Sequence, residues 1–154
     1  MAENKYTVAS IGPRIEEFLK PLLHRARLRL TPHVREPESR ASDFENPDVV
    51  VEFTGPDVDL LLANRAELLL ALEHLTMEML GMPPKDHSLL VFDANDYRML
   101  RIEELRLSAL TAAEKVKRSN KPFRFNPMTS RERRILHLAL RDEPAVRSES
   151  AGFG

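Results

Sequence analysis

The run Pro127-Met128-Thr129-Ser130-Arg131-Glu132-Arg133-Arg134-Ile135-Leu136-His137-Leu138-Ala139-Leu140 decides how this chain is read. Thr129 and Glu132 have the spacing of a capping box, in which a hydroxyl takes the amide three residues on and the acid reaches back. A helix is therefore predicted to open near Ser130 and to run to about Arg141, ahead of Asp142-Glu143-Pro144. On such a helix Arg133, His137 and Arg141 are four apart and share one face. Ile135, Leu136, Ala139 and Leu140 supply much of the opposite side, which is expected to be buried. A guanidinium can hold a phosphate through two parallel hydrogen bonds. An imidazole beside it can donate to a phosphate or stack on an unpaired base. The other reading of the same face is a solvated basic surface, with His137 packed on a neighbouring strand.

Immediately upstream, Pro122-Phe123-Arg124-Phe125-Asn126 is predicted as a short strand with its apolar residues on one side. Before it, Asp96 to Ser119 reads as one long helix. Ile102, Leu105, Ala109, Ala112 and Val116 alternate spacings of three and four, and Lys115, Lys117 and Arg118 in the last turns complement the helix dipole. Downstream, Val146 to Ser150 is expected as a last strand, and Gly152-Phe153-Gly154 as the start of a turn.

The first two thirds of the chain follow a different rhythm. Ile15, Phe18, Leu19, Leu22 and Leu23 recur at helical spacing, which predicts a helix from Ile15 to Arg29 behind Pro13. Leu30 to Val34 is extended, Arg35 to Pro47 a polar loop, and Val49-Val50-Val51-Glu52-Phe53-Thr54 a strand closed by the turn pair Gly55-Pro56. Asp57 is expected to cap a short helix through Leu62, and Ala66 or Glu67 to open a longer one through Leu80. Gly81 ends it, with Pro83-Pro84 beyond. Ser88 to Phe92 is a third strand. The order is helix, two strands, two helices, strand.

Composition bounds the functional classes. The chain has 154 residues, 42% hydrophobic and 31% charged, enough for one domain or two small ones. It has no cysteine, which removes disulfides, thiolate metal sites and a cysteine nucleophile. No secretory leader is read before Ser10, and the apolar stretch Leu60 to Leu80 is too interrupted by Asn64, Arg65, Glu67, Glu73, His74 and Glu78 to be a membrane span. The five histidines show no metal-ligand spacing, and there is no phosphate-cradling glycine loop or nucleophile elbow. Neither a cofactor nor an enzyme is expected. The net charge of −1 conceals a split: residues 1–96 carry 10 Lys/Arg against 17 Asp/Glu, net −7, and residues 97–154 carry 13 against 7, net +6. Two units with different partners are expected.

The element order of residues 14–95 is that of a type II KH domain. The run Pro127 to Leu140, in which three residues separate Arg133 from His137, resembles the signature of the Arg-x-x-x-His (RxxxH) domain. The tail Val146-Arg147-Ser148-Glu149-Ser150, followed by Gly152, also fits it. Together these resemble the bacterial Jag family, also called KhpB or EloR, over roughly Glu16 to Gly154. The resemblance implies an α+β fold with a disordered lead at 1–13, a KH-like domain at 14–95 and an RxxxH domain at 96–154, with helices packed on a small sheet. It further implies a cytoplasmic protein that binds single-stranded RNA or DNA and is linked to regulation of cell elongation and division. Pairing with a small single-KH protein is implied as well, while a homodimer is the expectation of the rival reading below.

Three departures qualify it. No counterpart of the N-terminal domain of many members is expected in the residues before Pro13. The KH loop, Gly-x-x-Gly in the family, is here the degenerate Ala63-Asn64-Arg65-Ala66. One more strand is expected after Gly154, so that either the chain is cut there or this edge is formed differently. The nucleic-acid-binding set implied is Arg133, His137, Arg134 and Arg141, with Lys117, Arg118, Lys121 and Arg124 leading to the same face. At the KH loop, alanine methyl groups disfavour positive φ, and Asp57, Asp59 and Glu67 put negative charge where phosphate would sit. Little or no binding is expected there. The rival to RNA binding is a protein-interaction or dimerisation module built on that KH-like half.

Overall fold

A run of β-branched residues bracketed by a turn pair makes the central strand, and the computed structural model, which describes residues 4–38 and 44–151, places it over the residues read from the sequence. This strand, β2 (Val49–Thr54), pairs antiparallel with β1 (Thr31–Arg35) and parallel with β3 (Leu90–Asp93), giving the order β1-β2-β3. Val51 sits opposite Val34 on one side and Phe92 on the other. Parallel strands need a crossover. It is supplied by α2 (Val58–Leu80) and a 3-10 turn (Pro84–Leu89). The tight turn takes residues 88 and 89 from the strand expected at Ser88.

Helix α1 (Val8–Arg25) opens earlier than expected and ends earlier too. Thr7 and Ser10 form a reciprocal cap: the Ser10 amide donates to Thr7 Oγ1 at 3.0 Å and the Thr7 amide to Ser10 Oγ at 2.9 Å. Residues 8–13, expected in a disordered lead, are therefore the first turns, and Pro13 and Pro21 lie inside the helix. At the other end Arg27 takes a left-handed φ of 57°. The Leu28 amide then reaches back to the Leu23 carbonyl and the Arg27 amide to His24, a Schellman closure that stops the helix before Arg29. Lys5 and Tyr6, ahead of the helix, are tied down too. The Tyr6 amide donates to Asp48, its hydroxyl donates to Asp86 at 2.7 Å, and Lys5 pairs with Asp86 at 2.7 Å. These donors hold the Asp86 carboxyl below its ordinary range, while that carboxylate pushes the Tyr6 hydroxyl up to about 12.

The chain divides into two compact units, residues 1–97 and 98–154. The core of the first joins Ile11, Ile15, Leu19 and Leu23 of α1 to Val49, Val51 and Phe53 of β2 and to Leu90 and Phe92 of β3. Phe53 and Phe92 meet with ring centroids 5.4 Å apart. Each such side chain, fully buried, contributes roughly 1.5–3 kcal/mol. Gly55 has φ +130°, and a Cβ there would lie 2.4 Å from the Arg29 carbonyl oxygen, so only glycine fits the turn. Asp57, expected to cap the next helix, makes no cap bond. Its carboxylate instead takes the Arg29 guanidinium at 2.9 Å and the Arg29 amide at 2.7 Å, which lowers its pKa and sets a cation beside the ionised carboxylate. On α2, Glu73 is buried and accepts the Phe92 amide at 2.8 Å. Gly81, with φ 68°, closes α2 as expected.

In the second unit α3 (Tyr97–Ser119) buries Leu105, Ala109, Ala112 and Ala113, and α4 (Ser130–Ala139) buries Ile135 and Leu136. The strands expected at Pro122–Asn126 and Val146–Ser150 are not formed; both segments are irregular backbone among the described residues. A strand exists only with a partner ladder, and Pro122 and Pro127 offer no amide to one. The turn expected at 152–154 lies outside the described residues. The fold is α+β, with a three-stranded sheet and helices. No helix of the described residues is long and apolar enough to cross a membrane.

Candidate nucleic-acid interface

Helix α4 begins as its sequence requires. Thr129, in extended backbone, accepts the Glu132 amide at 3.2 Å. Only half of the capping box forms, because the Glu132 carboxylate is taken by Arg101 of α3 at 2.8 Å. Arg101 holds Glu104 at the same distance, so one guanidinium bridges two acids and ties the opening turn of α4 to α3. Beside them Arg98 is partly buried. Burial and the like charge of Arg131 pull its pKa down to about 9, with Glu132 opposing, and it stays charged at neutral pH.

Arg133 and His137 lie one turn apart on α4 and flank its buried pair, Ile135 and Leu136, in sequence. Arg133 and His137 are half-buried, and Arg134 is exposed. Arg141 falls beyond the helix, which stops at Ala139 with Leu140 as its cap. It sits in a turn, exposed and 3.9 Å from Asp142, so the expected continuation of the face through Arg141 is corrected.

Two turns after α4, closed by the Glu143 amide on Leu140 and the Val146 amide on Glu143, send the tail back. Ser148 Oγ reaches His137 Nδ1 at 2.5 Å, and Ser150 Oγ lies 3.3 Å from Nε2. Residues two apart in an extended chain point the same way, which lets both hydroxyls address one ring. A hydroxyl donates or accepts, so this pair accommodates either neutral tautomer. Sequence reasoning did not find these serines, since contact across 11 and 13 residues leaves no local pattern.

The remaining cations separate into two kinds. Lys117 is committed to Glu143 at 2.5 Å, with Glu114 at 3.7 Å, and the Glu143 hydrogen bond raises its pKa. Arg118 and Lys121 are exposed and line one cleft with Lys115 and Phe123. Arg124, also exposed, lines a neighbouring cleft with Phe125 and Asn126. Phe123 and Phe125 were read only as the apolar side of a strand; their rings meet edge to face, centroids 5.0 Å apart.

In the first unit, Ala63-Asn64-Arg65-Ala66 breaks α2 as expected for a loop between two helices. Asn64, Arg65 and Ala66 have φ of 54°, 59° and 60°, three consecutive left-handed residues. The Arg65 carbonyl accepts from the Tyr97 hydroxyl at 3.4 Å, and Ala66 is fully buried. Alanine thus adopts the conformation that it disfavours, with its methyl group in the core. No group of metal-ligating side chains occurs among the described residues.

Residues 103–154 match the family model of the Arg-x-x-x-His domain, the domain expected from Arg133 and His137. The chain is 32% identical over 102 residues to RNA-binding protein KhpB of Clostridium symbiosum, covering 66% of this chain and 46% of that protein. It is 37% identical over 87 residues to RNA-binding protein KhpB of Bacillus subtilis (strain 168), covering 56% and 42%. With RNA-binding protein KhpB of Lactiplantibacillus plantarum it shares 28% over 110 residues, covering 71% and 34%. The matches span less than half the length of each of these relatives.

Proposed function

We propose that this chain binds single-stranded nucleic acid, RNA above all, through the α4 face that carries Arg133 and His137. The observation that carries the reading is the position of this Arg-His pair, one turn apart on a capped helix inside the stretch that matches the Arg-x-x-x-His domain. Relatives named as RNA-binding proteins support it, as does the net charge of +6 over residues 97–154. Arg133 contributes a planar fork for a phosphate, and His137 a ring that hydrogen-bonds or stacks. Arg134, Arg118, Lys121 and Arg124 add phosphate contacts, which supply affinity and salt dependence rather than sequence information.

The first unit serves in this proposal as a KH-like scaffold rather than a second binding site. Its acidic balance and the methyl group of the exposed Ala63 oppose close approach of a phosphate backbone, whereas that of Ala66 is turned into the core. The domain division at residues 14–95 and 96–154 belongs to the same proposal, as does a cytoplasmic role in post-transcriptional regulation linked to cell elongation and division. Binding, not catalysis, is the activity. The test is titration of a fluorescent single-stranded RNA pool across a salt series. Wild-type affinity should fall steeply with salt, and Arg133→Ala with His137→Ala should abolish most binding. Unchanged affinity in that double variant would remove the site assignment.

A further inference from the structure

The carboxy-terminal turns of α3 and the segment that follows form a cleft of about 360 Å³ lined by Lys115, Arg118, Ser119, Lys121, Pro122 and Phe123. Three of these six are cations and none is an acid. We infer that this cleft is a base-stacking subsite, in which an unpaired base lies on the Phe123 ring while Arg118 and Lys121 meet the flanking phosphates. The inference rests on the nucleic-acid reading above and adds to it a second ring contact, on Phe123, apart from the Arg133 and His137 face.

Phe123 is the aromatic surface of this cleft. It is 44% exposed, and its neighbours in the cleft are mostly cations rather than apolar side chains. It is also held in place. Its ring meets the half-buried Phe125 ring edge to face, at an interplanar angle of 69°. Pro122 and Pro127 bracket the segment and restrict its backbone. A rigid, exposed aromatic ring presents a stacking surface at little entropic cost. Lys115 Nζ lies 5.6 Å from the Phe123 centroid, so the ring already attracts a cation on a flexible stem. When a base takes the ring, that ammonium is within reach of the phosphate next to it.

The size and continuity of the site agree with a strand rather than a single small ligand. The volume falls in the roughly 300–1,000 Å³ range of small-ligand pockets, ample for one base. A second cleft of about 540 Å³ shares Lys115 and Phe123 with the first and adds Arg124, Phe125 and Asn126. Its one acid is Glu104. Two clefts that meet at an aromatic ring, with cations on both sides, offer a track for successive nucleotides.

The experiment compares a short fluorescent oligouridine with an abasic strand of the same length and backbone, on the full chain and its variants. Phe123→Leu keeps the apolar volume but removes the ring. It should weaken oligouridine binding about five- to 150-fold, the range expected for one base stacked on an aromatic ring. Its affinity for the abasic strand should equal that of wild type, and Phe123→Tyr should restore oligouridine binding. Phe123→Leu binding oligouridine like wild type would overturn the subsite. So would a wild-type chain that binds the abasic strand as tightly as oligouridine, an outcome that identifies the cleft as a general polyanion surface. If Arg133→Ala with His137→Ala abolishes binding while Phe123→Leu does nothing, only the subsite is lost. A wild-type chain that binds neither strand at low salt overturns the parent reading as well.

Discussion

Ser148 Oγ lies 2.5 Å from His137 Nδ1, and this bond fixes the ring through its first nitrogen while Ser150 makes the longer contact, 3.3 Å, to the second. The nitrogen held by Ser148 sets the ring orientation; the one facing Ser150 is the more readily surrendered to a ligand. Ser148→Ala should therefore weaken RNA binding by about two- to tenfold, the worth of one net hydrogen bond. Ser150→Ala should leave affinity unchanged or raise it. Anisotropy titrations of both variants check this, and an equal loss in the two would show that the tail acts as a whole.

Lys117 and Lys121 are close in sequence but not equivalent. Lys117 is paired with Glu143, so it contributes little to counterion release on binding. Lys121→Ala should lower the slope of log affinity against log salt by about 0.7, the value for one phosphate contact on a single strand. Lys117→Ala should leave that slope unchanged. A fall in slope for Lys117→Ala would place that ammonium on the nucleic acid instead of on Glu143.

Gly55→Ala should destabilise the first unit strongly. The new methyl group would sit 2.4 Å from a backbone carbonyl at a φ of +130°. A loss of about 2–4 kcal/mol is expected from strain and clash together. Chemical denaturation followed by circular dichroism measures it, and a loss below about 0.5 kcal/mol would contradict the geometry of this turn.

Arg65→Gly should act in the opposite direction. Arg65 is exposed and has φ 59°, so it bears left-handed strain of roughly 1–2 kcal/mol without burying a side chain in return. Glycine should raise stability by about 1 kcal/mol, reduced by its greater freedom in the unfolded chain. Ala66→Gly should gain less than Arg65→Gly, because its methyl group is fully buried. Paired denaturation curves distinguish the two.

The Tyr6–Asp86 bond predicts a particular alkaline response. The Tyr6 hydroxyl is raised from 10.0 to about 12, so its stabilising share is complete below pH 10 and is lost between pH 10 and 12. The Asp86 carboxyl is lowered from 3.8, so its share is present above that value and is lost as pH falls below it. The difference in melting temperature between wild type and Tyr6→Phe should shrink as pH rises through that alkaline window. A constant difference would show that this hydroxyl is not the titrating group.

Legibility followed the range of the forces involved. Strand β2 was readable to the residue because three consecutive valines and a Gly-Pro turn are local signals. The start of α4 was readable from Thr129 for the same reason. For helix α1 the local signal misleads: Pro13 has the look of a boundary, whereas the cap lies upstream at Thr7 and Ser10. The expected strands at 122–126 and 146–150 show the opposite limit, since an extended preference becomes a strand only when another strand is there to pair. At the site, the spacing of Arg133 and His137 was visible. The serines on His137, the capture of Lys117 by Glu143 and the pairing of the two Phe rings depend on how the chain returns on itself.

The buried carboxylate of Glu73 has a consequence for assembly. β3 is an outer strand, and the amide that Phe92 would offer to a newcomer is already bonded within the chain. At the other margin, Pro32 on β1 has no amide at all. The sheet is thus closed to growth at a residue on each side by two different chemical devices, a hydrogen bond and a covalent ring. Copies of this chain that meet in solution would be steered away from continuous β-pairing, the route by which open margins become aggregates.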